Sequence, residues 1–214
     1  MVLSWLPQRD RMLMDLLLET NFLLELVFKQ EQAAACEMLL QAAEQGKVVL
    51  HLPAFSLMEQ LYRLAGATKE RRDLQAKVQQ VLTQAQRETV VKDPLSKLER
   101  DFTTLLEVGS QQQQERLLDL SQRVSSVAQL IPLTAGIWAQ TARLTEEVEL
   151  TLSDCVVCAS LLERAAELIP LAPKLFVTRD KKGFQQQAVR QLFEEHGCEI
   201  ILNFQHAVQR LRMG

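Results

Sequence analysis

The chain has 214 residues, 47% of them hydrophobic and 24% charged, with a formal net charge of −3. Such a chain can bury a sizeable core as one enlarged domain, and only 7 glycines and 6 prolines argue against a long flexible linker or a disordered tail. The mild acidity lacks the basic excess that announces most nucleic-acid binders, although a local basic patch stays compatible with it. Four cysteines, Cys36, Cys155, Cys158 and Cys198, are too few for a disulfide framework, so they are expected as small core residues in a reducing, cytoplasmic setting. The apolar run Met12 to Leu18 is too short to span a bilayer and is interrupted by Asp15, so no membrane association is expected.

In chain order, Met12 to Leu18 predicts a buried strand that stops at Glu19-Thr20-Asn21. Asn21 is placed to cap a helix carrying Leu23, Leu24, Val27 and Phe28. A second helical stretch, 32–45, closes at Gly46, and Lys47 to Leu52 predicts the next strand, ended by Pro53 and followed by a helix with Phe55, Leu57, Met58 and Leu61. Alternating short strands and amphipathic helices imply right-handed crossovers and a parallel sheet.

From about Lys69 to Val127 strand signals vanish, and a helical insertion within one domain over 1–214 is expected. Three apolar stripes predict three helices: Leu74 to Ala85, Leu95 to Leu105, and Leu117 to Val127. Asp93-Pro94 is read as the first break and Gly109-Ser110 as the second, with Gln111 to Gln114 opening the third helix. The basic residues of this segment alternate with acids and read as solvated faces. The α/β pattern resumes at Gln129 to Thr134, followed by a helix with Ile137, Trp138, Thr141 and Leu144. Ser153 or Asp154 is placed to cap the next helix, Lys174 to Thr178 predicts a strand, Phe184 to His196 a helix closed by Gly197, and Glu199 to Asn203 a last strand.

Four acids stand out by position. Glu19 and Asp180 follow strands at their carboxyl ends, Asp154 opens a helix, and Glu59 lies in the helix after Pro53. Sites in open parallel sheets form outside the carboxyl ends of the strands. Carboxylates gathered there repel unless a cation neutralises them, and oxygen ligands select hard Mg²⁺ or Mn²⁺. Such a centre can activate water for phosphodiester cleavage. Thr20 and Thr178 are placed to orient a carboxylate, water or phosphate, and Arg179, Lys181 and Lys182 to meet a phosphate backbone. Asp15, near the start of its strand, is read as solvent-facing or paired and left outside the site. Cys155 and Cys158 fall within one helix with no second ligand pair, so no zinc site is expected, and the three histidines have no nucleophile context.

The stretch Leu17 to Leu26 resembles the opening strand and DTN-type motif of PIN domains, with Glu19 standing where that family has Asp. Leu52 to Glu59, Leu152 to Ala159 and Phe176 to Phe184 are similar to the second, third and fourth motifs, in the family's order. The resemblance implies a three-layer α/β fold with a central parallel sheet flanked by helices, and a metal-dependent endoribonuclease. It further implies Glu19, Glu59, Asp154 and Asp180 as the acidic positions, with Glu19, Asp154 and Asp180 holding metal. RNA is then the substrate, homodimerisation is frequent, and the toxin role of many relatives would bring an antitoxin partner. The alternative reading is a catalytically degenerate PIN-like scaffold that binds protein or RNA, its helical insertion supplying the surface.

Overall fold

Strands in this chain alternate between two buried faces. In the computed structural model, which describes residues 13–85, 87 and 92–213, β1 (Met14–Leu18), β2 (Val48–Pro53), β3 (Ala128–Ile131), β4 (Lys174–Val177) and β5 (Cys198–Ile201) form one sheet in the order β3-β2-β1-β4-β5. Every pairing is parallel, as the strand-helix alternation predicts. Met12, the first residue of the expected opening strand, lies outside the described residues.

The period of two divides the sheet cleanly. Leu16, Leu18, Leu50, Leu52, Leu175 and Val177 face a core built with α1 (Thr20–Phe28), α2 (Ala33–Glu44) and α9 (Phe204–Met213). Leu17 and Phe176 face the other, built with α5 (Ala135–Glu147), α6 (Leu152–Glu167), α7 (Lys181–Phe184) and α8 (Gln187–Glu194). Phe176 stacks on Phe193 and meets Phe184 edge-on, which fixes α7 and α8 under β4. All four cysteines are free and buried. Asp15 is buried and paired, its Oδ1 lying 2.7 Å from Nε2 of His51 on the neighbouring strand.

The remaining crossover, from β2 to β3, is made by α3 (Ala54–Ala85) and α4 (Lys92–Val127). Here the structure corrects the expected three helices to two. Gly109-Ser110 does not break the chain: α4 runs straight through it, and Gln111 to Gln114 lie in mid-helix rather than at a helix start. A lone glycine costs a helix only about 1 kcal/mol against alanine, which the flanking turns absorb. Asp93-Pro94 falls in the first turn of α4, where proline's missing N–H is no loss. The base of α4 is pinned to the core. Leu117, Leu120 and Val124 are buried, Arg116 donates to the Val27 carbonyl, and Arg123 bridges Glu37 and Glu44. Farther out the pair forms a projecting arm.

Local caps account for other differences. Glu19, not Asn21, caps α1, and Thr151, not Ser153 or Asp154, caps α6. The helix expected over Phe184 to His196 is the shorter α8, and a separate turn, α7, capped by Asp180, precedes it. Gly46 and Gly197 both take φ +66, the left-handed conformation expected where each ends a helix. Helix α9 has no counterpart in the expectations above, although Asn203 signals it by accepting from the Gln205 amide at 2.7 Å.

Candidate active site at the carboxyl edge of the sheet

Strand order decides what meets at this edge. The direction of the crossovers reverses between β1 and β4, the place where open parallel sheets leave a crevice. Leu18 registers with Val177, so the residues that follow them, Glu19 and Thr178, are side by side. The Thr178 hydroxyl donates to Glu19 Oε1 at 2.8 Å, and the Asn21 amide donates to Glu19 Oε2 at 2.7 Å. Glu19 is thus both a helix cap and the floor of the crevice.

The other acids arrive from separate elements. Glu59 stands one turn into α3 and accepts from the Thr20 hydroxyl at 2.6 Å, so Thr20 orients one carboxylate as Thr178 orients another. Asp154 lies in the first turn of α6, where the Thr151 hydroxyl donates to its Oδ2 at 2.6 Å. The Asp180 carboxylate accepts from the Gly183 amide at 3.1 Å. A Cβ on Gly183 would come within 2.6 Å of Asp180 Oδ2, so a side chain there would displace the carboxylate.

Glu19, Glu59, Asp154 and Asp180 all line one open cavity of about 490 Å³, with Thr20, Asn21, Leu24, Arg63, Thr151, Ser153 and Arg179. Burial raises the Glu19 carboxyl to about 7, against the lowering effect of its Asn21 and Thr178 hydrogen bonds and with a further push from Glu59. Burial also raises Asp154, and the charges of Asp180 and Glu59 add to it. The four carboxylates therefore feel one another.

Four carboxylates with hydroxyls between them are the donor chemistry of a hard divalent cation. Their spacing falls short of a closed ligand set: among the described residues no three acids, histidines or cysteines gather tightly enough to hold one ion. Both oxygens of Glu19 and one of Glu59 are turned to protein donors.

The basic residues divide differently from the sequence expectation. The Arg179 guanidinium is held by the fully buried Glu25, by Gln30 and by Glu31. Lys181 and Lys182 are exposed, and Lys182 borders a neighbouring depression. Arg63 and Thr151 were not singled out from sequence. Arg63 sits four residues after Glu59, on the same helix face, and Thr151 opens a Thr-x-x-Asp capping pattern; both signals were present.

Among curated proteins, none matches this chain. The crystal structure of VapBC2 from Rickettsia felis bound to a DNA fragment from its promoter is similar at 16% identity, over 80% of this chain and 92% of that one, with a TM-score of 0.41. The family profile described as PIN domain matches residues 16–184, from β1 to α7 and so through all four carboxylates; the chain belongs to the PIN-domain family.

Proposed function

We propose that this protein is a divalent-metal-dependent endoribonuclease. The observation that carries the reading is the gathering of four carboxylates, from four separate elements, in one cavity where burial and mutual repulsion make the charged forms of Glu19 and Asp154 costly without a cation. PIN domains generally use divalent metal ions. Glu19, Asp154 and Asp180 would hold Mg²⁺ or Mn²⁺, with Glu59 beside them. When bound, the cation would neutralise these acids and lower the pKa of a water for attack on a phosphodiester.

The chain's own groups supply the rest. Thr178, Thr20 and Thr151 fix the carboxylates of Glu19, Glu59 and Asp154 by hydroxyl hydrogen bonds, and Gly183 fixes Asp180. Glu19, raised to about 7, holds its proton through mildly acidic pH, which relieves its repulsion from Glu59. Asp180→Asn keeps the shape and removes one charge. It is expected to cost more than the roughly 10- to 100-fold typical of outer-shell changes, and to reduce the Mg²⁺-induced rise in Tm. Cleavage of a mixed single-stranded RNA pool at parental rates by that variant would refute the reading.

A second reading, a degenerate scaffold, is favoured by one observation: Glu19 spends both oxygens on capping α1 and meeting Thr178. Glu19→Asp separates the two. Raised cleavage means the glutamate detunes a live site, whereas silence in parent and variant with either metal supports the scaffold. As a toxin the chain would need an antitoxin partner, and a reading frame for a small DNA-binding protein beside its gene would support that role.

The reading includes a homodimer that meets through the arm. Exposed Leu74 and Val81 on α3, and Leu98 and Leu105 on α4, each recur at seven-residue spacing. Lys77 lies between the first pair and Asp101 between the second, so one helix face complements the other in charge.

A further inference from the structure

The cations around the crevice are not equivalent. Arg179, which precedes Asp180 in sequence, is neutralised by Glu25 and Glu31 and anchored by Gln30. Arg63 projects into the same cavity with its side chain 64% exposed, its guanidinium only 3.5 Å from Glu59 Oε1, the outer limit of a hydrogen bond. Adjoining the cavity at Asp154 and Asp180 is a second depression, of about 500 Å³, lined by Glu149, Leu150, Thr151, Lys182, Gly183 and Gln186 with those two acids. Gln186 stiffens it, donating to the carbonyls of Glu149 and Gly183 and accepting from the Glu149 amide. Asp154, Asp180 and Thr151 belong to both depressions, and each volume is in the range of ligand sites.

We infer that a single RNA strand crosses the Asp154–Asp180 pair from one depression to the other, with Arg63 holding a phosphate on one side and Lys182 on the other. Arg179 takes no part: its charge is spent inside the protein, where it braces the loop after β4 against α1. The inference takes RNA as the ligand from the ribonuclease reading. It adds which cations position the strand, and that the scissile phosphate sits between two others. Arg63 and Lys182 are positioning residues.

The test uses the full chain in the Asp180→Asn background with Mg²⁺, so that the strand survives, and follows a short fluorescent single-stranded RNA by anisotropy across a salt series. Arg63→Ala and Lys182→Ala are each expected to weaken binding several-fold and to lower the slope of log K against log salt by about 0.7, one phosphate contact apiece. Arg63→Lys should restore the slope. Both positions are exposed, so their variants should keep the parental melting curve. Removing Arg179 alone would strand the buried Glu25, so the paired change Glu25→Gln with Arg179→Gln is used, and it should leave the slope unchanged. A parental slope in Arg63→Ala or Lys182→Ala, a reduced slope in the paired variant, or no binding by the starting protein would overturn the inference. Slope losses as expected, in a chain whose parent never cleaves RNA, would uphold it and sink only the ribonuclease reading; unchanged slopes with parental cleavage intact would do the reverse.

Discussion

The carboxyl edge of the sheet and the helical arm are built partly from the same two helices, yet they are held by different means. At their bases, α3 and α4 are tied across the chain. Glu59 meets Thr20, Arg116 reaches the Val27 carbonyl, and Leu117, Leu120 and Val124 are sealed in the core. In the arm, Leu82 is the buried residue among those described from 61 to 85, while Val81 and Leu105 are 63% and 70% exposed. The difference teaches that helical spacing of apolar residues secures a helix without saying whether its stripe is covered. Stability should therefore live at the sheet, and association in the arm.

The largest effect that would sharpen this contrast is in the core. Phe176→Ala removes a fully buried ring packed between Phe184 and Phe193, so unfolding free energy should fall by about 3–5 kcal/mol in denaturant titration. A loss below about 1 kcal/mol would mean that the aromatic cluster does not hold α7 and α8 to β4.

A smaller effect comes from the edge itself. Folding raises the Glu19 carboxyl from 4.5 to about 7, so the native state binds more protons than the unfolded state between those values. Stability is then greatest at the acidic end and falls as pH rises through that window, by up to about 3 kcal/mol from this group. Asp154 is shifted upward as well and adds in the same sense. Glu19→Gln should flatten the dependence, and Mg²⁺ should flatten it in the parent if the carboxylates bind it. Parent and Glu19→Gln curves that run parallel from pH 4.5 to 7 would deny the buried charge.

The smallest expected change in stability is at the arm, and there the readout is mass. Leu98→Asp with Leu105→Asp should shift the unfolding free energy of the protomer by no more than about 0.5 kcal/mol, because both side chains are exposed. Sedimentation should nevertheless fall from twice 24.4 kDa to the single-chain mass. A dimer that survives the double change would move the interface away from the arm, and a large loss of protomer stability would erase the contrast between the two regions.

Much of this was legible in the residues themselves. The strand cores, the helices between them and the turns at Gly46 and Gly197 follow from periods of 2 and 3.6 and from local punctuation, which are properties of a few neighbouring residues. So do the positions of Glu19 and Asp180 just past strand ends and of Asp154 in the first turn of a helix. What the tertiary structure alone decided is who meets whom. Only the placement of β1 beside β4 sets Thr178 against Glu19, the glutamate that caps α1. The partner of Arg179 lies 154 residues away, and no local pattern distinguishes a guanidinium bound for a buried carboxylate from one bound for a phosphate. The continuity of α4 through Gly109 is of the same kind: the glycine weakens the helix locally, while the buried turns from Leu117 to Val124 hold it to the core.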